Sequence, residues 1–515
     1  MPTSIVYLIG AGPGDPGLIT VRGLKCLSTA DVVLYDHLVH PRLLRSARRD
    51  AEKIDVGTAA PQPLEQEAIC YLLAEKAREG KVVARLKWGD PFVFDRGGPE
   101  ALFLHEQGVP FEVVPGVPAS IGFSSYAGVP LTYPGAGDAI VFLRGYEDDG
   151  RTRVPLDVNW KAVAQIDGTL VCYAGSVQFP QTVSALLHAG RHADEPAALV
   201  INGTLPNQRT VFGTLGTIVE KAEAAGDRRP GILLVGRAVG LREHLRWFDA
   251  KPLFGRRILV TRPREQAAEM SELIESLGGE AIEAPMIRIV PPEDYSVLDE
   301  ACRQVHAFNW LVFSSANAVE AFMGRLLASP LDLRALAGVK LCAVGPATTE
   351  RLSRYGLKVD LVPAEYRAEA IAHAFSQSGD VSGLSVLIPR ADIGREVVGE
   401  ELRRQGAHVT EVVAYRTQVV DPEREGEPDV YRMLLDHQLD VVTFASASSV
   451  RSFVRAFGAD QAADLLRPVE VAAIGPVTAE AALQYNIHTT IMPAQYTVPA
   501  MVDAIVQHFQ KKPAP

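Results

Sequence analysis

Short apolar runs recur along the chain and alternate with stretches of helical periodicity. VVLYD (32–36), KVVARL (81–86), GTLVCYAG (168–175), ILLVG (232–236), RILVTRP (257–263), WLVFSS (310–315) and DVVTFAS (440–446) are rich in β-branched residues. Runs of this length, bounded by turn residues, predict buried strands, and strands alternating with helices predict α/β layers with mostly parallel sheets. The alternation breaks at DAKPLFGR (249–256), between a terminal helix LREHLRWF (241–248) and a fresh strand, and more weakly at TYPGAGD (132–138).

The second half repeats itself. LCAVGPATTERLSRYGLKVDLVPAEY (341–366) matches VAAIGPVTAEAALQYNIHTTIMPAQY (471–496), so Gly345 pairs with Gly475. FSSANAVEAF (313–322) matches FASASSVRSF (444–453), and ILVTRPREQAAEMSELIESLGGEAIEAPMI (258–287) resembles VLIPRADIGREVVGEELRRQGAHVTEVVAY (386–415). Such a repeat predicts two similar α/β lobes facing across a cleft, which is a default ligand site. Strands ending in SSAN, ASAS, GPAT and GPVT feed helices, where hydroxyls cap and free N–H groups attract carboxylates. Ser314, Ser315, Asn317, Thr348, Ser446, Ser448 and Thr478 are therefore expected to line the cleft, with a simple N-cap as the competing reading of each. Arg262 and Arg390 sit at equivalent strand ends, where each either meets a substrate carboxylate or forms a structural ion pair.

Length and composition change this picture little. The chain has 515 residues, which suggests about three or four domains. A hydrophobic fraction of 47% and a charged fraction of 22% suit a globular protein with large cores. The net charge of −11 argues against a nucleic-acid partner, which would need a basic face. No apolar run is long enough for a membrane span and no signal-peptide pattern opens the chain, so a cytoplasmic enzyme is expected. The five cysteines form no CxxC pair, so neither a disulfide framework nor a metal site is expected.

The stretch VYLIGAGPGDPGLIT (6–20) invites a dinucleotide reading, but its glycines lack the G-x-G-x-x-G spacing. Pro13 removes an N–H that a pyrophosphate would use, and Asp15 would repel phosphate. A nucleotide-linked oxidoreductase is thus the poorer reading. With the following residues, VYLIGAGPGDPGLITVRGLKCLSTADVVLYDHLV resembles the N-terminal signature of the uroporphyrinogen-III C-methyltransferases, which are S-adenosylmethionine-dependent tetrapyrrole methylases. The resemblance runs over roughly 1–248 through RLKWGDPFVFDRGG (85–98), PFEVVPGVPASIGFSSYAGVPLT (110–132), INGTLPNQRTVFGTL (201–215) and RPGILLVGRAVGLREHLRWF (229–248). It implies two α/β lobes with S-adenosylmethionine between them, held at Pro13, Gly89, Asp90, Val93, Ala119, Ala174 and Gly203, with Asp36 as proton acceptor. It also implies a homodimer formed through this domain. The chain departs from the family pattern at Thr58 (a lysine in the family), at Trp88, at Pro118, at Tyr133-Pro134 (from THR), at Arg144-Gly145-Tyr146 (from TGH) and at Ala174. Those departures remove cations expected to hold an acceptor with eight carboxylates.

Residues 255–510 resemble uroporphyrinogen-III synthase, through LVTRP (259–263), VFSSANAV (312–319), AVGPATTERL (343–352), VLIPRAD (386–392), EVVAYRT (411–417) and AAIGPVTAEAA (472–482). This resemblance implies cyclisation of hydroxymethylbilane with inversion of the last pyrrole, and Tyr415 assisting loss of the hydroxyl. The expected architecture is a two-lobed methylase domain over 1–249, a linker over 250–256 and a two-lobed synthase domain over 257–510. In the latter, lobe one is 257–290 plus 417–510 and lobe two is 291–416. The expected function is a bifunctional tetrapyrrole enzyme acting on small-molecule tetrapyrroles, leading through precorrin-2 towards sirohaem or cobalamin. The alternative is a synthase carrying a degenerate methylase that serves as a binding or dimerisation module.

Overall fold

The computed structural model describes residues 4–57, 64–144, 158–175, 178–226, 229, 231–284, 287–363, 374–375, 381–392, 397–419 and 428–511. Two compact units divide it, Met1–Gly255 and Arg256–Pro515.

The first unit contains two sheets. β1 (Ile5–Gly10), β2 (Val32–Tyr35), β3 (Glu52–Asp55), β4 (Val82–Lys87) and β5 (Phe111–Val114) form a fully parallel sheet in the order β3-β2-β4-β1-β5. Helices such as Val21–Thr29 and Gln66–Arg78 make its crossovers, and β1 and β4 are buried in the middle. β6 (Ala139–Arg144), β7 (Gly168–Ala174), β8 (Pro196–Ile201), β9 (Arg209–Thr214) and β10 (Gly231–Val235) form the second sheet, β6-β7-β10-β8-β9. Here the expectation of parallel pairing fails. Only β6 and β7 run parallel, because β8 returns directly into β9 without a crossover helix.

The expected linker, 250–256, belongs to the first unit up to Gly255, and Arg256 already belongs to the second. Leu253 is fully buried, Phe254 packs edge-on to Phe248, and the Lys251 ammonium lies over the Trp247 ring. An aromatic cluster with this much apolar area folds onto its neighbours rather than spanning solvent.

The second unit holds β11 (Arg257–Val260), β12 (Glu280–Glu283), β13 (Ile287–Val290), β14 (Trp310–Phe313), β15 (Lys340–Ala343), β16 (Ser385–Ala391), β17 (His408–Val419), β18 (Val441–Phe444) and β19 (Glu470–Ala473). They make two sheets, β12-β11-β18-β19 and β13-β17-β16-β14-β15. The repeat accounts for this arrangement. β12, β11, β18 and β19 correspond in sequence to β17, β16, β14 and β15, so both sheets carry the matched segments in the same spatial order. The first sheet draws them from both ends of the unit, as a circular permutation of the second. Matched details follow: Phe313 meets Phe322 edge-on as Phe444 meets Phe453, and the bridge Cys342–Leu361 recurs as Ala472–Ile491.

The boundary between the lobes differs from expectation. β13 pairs antiparallel with the end of β17, from Ile287–Val419 to Val290–Arg416. Residues 287–290 and 417–419 thus belong to lobe two, not lobe one. Two strands that leave and re-enter the same lobe side by side satisfy their backbone groups with each other. Among the described residues, no helix is long and apolar enough to cross a membrane.

Candidate active sites

In the first unit three loops meet at the carboxyl ends of β1, β4 and β5. Gly12 and Gly89 exchange two backbone hydrogen bonds, at 3.2 and 2.9 Å. A Cβ on Gly116 would lie 2.2 Å from the Gly89 carbonyl oxygen and one on Gly10 2.5 Å from Gly116 N, so glycine is needed for the loops to approach. The Asp90 carboxylate fixes the arrangement, accepting from Phe92 N at 2.8 Å and from Gly116 N at 3.0 Å. Asp15 is likewise engaged locally, accepting from Gly17 N and from the Tyr126 hydroxyl.

The helix Ala119–Tyr126 gathers the remaining cofactor-loop candidates. Its Gly122 leaves only enough room for the Pro13 ring, and Phe123 packs where any side chain at 203 would stand, which explains Gly203. The Ser120 amide donates to the Tyr173 hydroxyl at 3.2 Å. Ala174, one residue on, turns its methyl into the core beside Cys172, so its backbone alone is left for a ligand.

A cavity of about 760 Å³ opens from these loops. Asp36, Gly89, Asp90, Val93 and Ala119 share its wall with Arg85, Lys87, Trp88, Asp95 and Tyr173. Sequence reasoning missed the ionic part. Arg85 Nη2 donates to Asp36 at 2.6 Å, and Lys87 lies 3.1 Å from both Asp95 and Glu100. Arg85, Lys87 and Glu100 are almost completely buried. The neighbouring carboxylates hold the Arg85 guanidinium above its ordinary pKa despite its burial, while burial pushes the Asp95 carboxyl up against the pull of Lys87. The signal was available: residues 85 and 87 of a central strand share one face, and two cations there need buried partners. These cations stand in the cavity whose cation content the departures put in doubt. Thr58, Gly145 and Tyr146 lie outside the described residues, while Tyr133 and Pro134 are exposed.

In the second unit, four predicted residues come together across the two lobes. Ser315 caps the helix Ala316–Ala328 by accepting from Ala318 N at 3.2 Å, and its hydroxyl lies 3.1 Å from the Tyr415 hydroxyl. Asn317 also bonds the phenol, and Gln266 from lobe one donates to the Asn317 side-chain oxygen. Arg262 donates to Gln266 at 3.4 Å. Burial pushes the Tyr415 phenol above its ordinary pKa, opposed by Ser315 and Asn317, whereas burial lowers that of Arg262.

The other expected lining residues behave differently. Thr348 and Thr478 are buried, and the helices they enter are capped by Gly345 and Gly475. The Thr348 hydroxyl donates back to the Val344 carbonyl at 3.0 Å. Arg390 lies within β16 rather than at its end and pairs with Glu411 at 2.7 Å, the structural ion pair of the two readings. Ser446 caps the helix Ala447–Phe457 and bonds Ser448 at 2.8 Å, and Ser314 is exposed at the end of β14.

Two α/β modules in series, one with a carboxylate-and-cation cavity beside glycine loops and the other with a tyrosine between twin lobes, define a fused enzyme of tetrapyrrole chemistry. A family model described as tetrapyrrole (corrin/porphyrin) methylases matches residues 5–219, and one described as uroporphyrinogen-III synthase HemD matches 268–503. The porphyrin biosynthesis protein HemD of Ruminiclostridium josui is 36% identical over 509 residues, 98% of this chain and 98% of that protein. The uroporphyrinogen-III C-methyltransferase of Bacillus subtilis (strain 168) is 35% identical over 363 residues, 70% of this chain and 74% of its own length. A solved uroporphyrin-III C-methyltransferase from Thermus thermophilus, complexed with S-adenosyl homocysteine, is 38% identical with a TM-score of 0.40, covering 46% of this chain and 99% of that one. The chain belongs to the family in which a tetrapyrrole methylase is joined to a uroporphyrinogen-III synthase.

Proposed function

We propose that the second unit closes hydroxymethylbilane to uroporphyrinogen III and that the first methylates this product with S-adenosylmethionine to precorrin-2. The observation that carries the reading is the cavity where Asp36 shares a wall with Asp90, Val93 and Ala119. A volume of about 760 Å³ falls in the range of small-molecule sites.

The loop residues fit the cofactor's chemistry. Pro13, Gly89, Asp90, Val93, Ala119, Ala174 and Gly203 include no cation, which suits a nucleoside without phosphate and a positively charged sulfur. When bound, S-adenosylmethionine supplies an electrophilic methyl group. The apolar walls at Val93, Ala119 and Phe94 exclude water from that charge. Asp36 takes the proton that the skeleton of the methylated macrocycle gives up, since the alkylated carbon itself has none, and Arg85 orients it through the 2.6 Å contact. In the second unit Tyr415 keeps its proton and donates it to the departing hydroxyl, with Ser315 and Asn317 aiming the phenol. Arg262 holds a substrate carboxylate from the opposite lobe, and proximity does the rest.

The reading is tested by methyl transfer from labelled S-adenosylmethionine to supplied uroporphyrinogen III. Cofactor binding without any methylated product would instead favour a methylase half that only binds.

A further inference from the structure

We propose that Gln266 is a positioning residue of the synthase cleft: its amide sets the guanidinium of Arg262 and ties that arginine to Asn317, the partner of Tyr415 in the other lobe. This rests on the reading of Arg262 as a carboxylate ligand.

The geometry is specific. Gln266 sits in the first turn of the helix Arg264–Ser276, and Asn317 in the first turn of Ala316–Ala328. The side-chain oxygen of Gln266 accepts from Arg262 Nη2 at 3.4 Å while its nitrogen donates to Asn317 Oδ1. Both ends of one amide are therefore engaged, which fixes its orientation. The chain of contacts continues from Asn317 to the Tyr415 phenol and on to Ser315.

Arg262 is poorly neutralised for a group so enclosed. Its Nη1 is buried without a hydrogen-bond partner, and burial lowers its pKa, opposed by Glu269 from the same helix as Gln266. Its counterpart Arg390 carries Glu411 instead. A buried guanidinium held by a neutral amide keeps its charge for an incoming anion, whereas a carboxylate at 266 would quench it. Glutamine is thus the residue type that both holds the arginine and leaves it free to bind a carboxylate. The same amide joins the lobes, so the leaving hydroxyl and the bound carboxylate are placed by one set of hydrogen bonds.

The test uses the full chain, hydroxymethylbilane and two variants, Gln266→Glu and Gln266→Leu, with folding followed by circular dichroism and thermal melting. Gln266→Glu is nearly isosteric and pairs with Arg262, so it is expected to melt no lower than the parent while KM rises about tenfold and kcat changes less. Gln266→Leu is expected to lower kcat/KM similarly and to increase the share of uroporphyrinogen I, which forms from bilane that escapes the cleft. A folded Gln266→Glu variant with the parental KM overturns the proposal. An Arg262→Gln variant that stays folded and keeps the parental KM overturns the reading beneath it.

Discussion

In the proposed function two side chains carry the proton chemistry, and each is held by a neighbour from another element. Asp36 follows β2 and is fixed by Arg85 of β4. Replacing it with asparagine is expected to lower methyl transfer by roughly a hundredfold or more while calorimetry shows S-adenosylmethionine binding unchanged. As the proposed acid, Tyr415 must be protonated. Because burial holds its pKa above the ordinary value near 10, synthase turnover is expected to stay level through about pH 9 and to fall only as pH rises above 10. Tyr415→Phe is expected to cut turnover roughly a hundredfold and abolish that alkaline limb in a stopped-flow pH series. The expectation for both came from the resemblance of LYDHLV and EVVAYRT to the two families, since neither strand pattern nor spacing marks a proton donor or acceptor. Arg85 and Lys87 were readable as two cations on one strand face, but their partners Asp36, Asp95 and Glu100 were not, and Gln266 emerges only from its contact with Asn317 in the other lobe.

At the scale of elements, β4 shows how a strand becomes a site. Its apolar residues hold the sheet together, while Arg85 and Lys87 place two cations against Glu100 in the first turn of the helix Gly97–Glu106. Removing one partner leaves a buried carboxylate undercompensated. Lys87→Met is therefore expected to destabilise the first unit by about 3 kcal/mol, measured by urea denaturation. Element types were readable from period and turn residues, and the glycine loops from their spacing. Pairing partners were less so. Nothing local tells β8 to return into β9, or β13 to pair with the far end of β17, because those choices depend on which edge is open once the other strands have packed.

The whole molecule has two units, each with its own cores. The repeat in the second unit was visible at a nearly constant spacing, and it predicted the twin lobes. The permuted order of matched segments is a property of how the chain re-enters lobe one and emerges only in three dimensions. With a separate site in each unit, the two chemistries should be separable. Asp36→Asn is expected to leave bilane cyclisation intact, and Tyr415→Phe to leave methylation of supplied uroporphyrinogen III intact. The most direct test of the central claim supplies hydroxymethylbilane and labelled S-adenosylmethionine to the pure chain and resolves every product by mass and ring isomer. Uroporphyrinogen III and its dimethylated product are expected. Uroporphyrinogen I alone, with no label in any macrocycle, would contradict it.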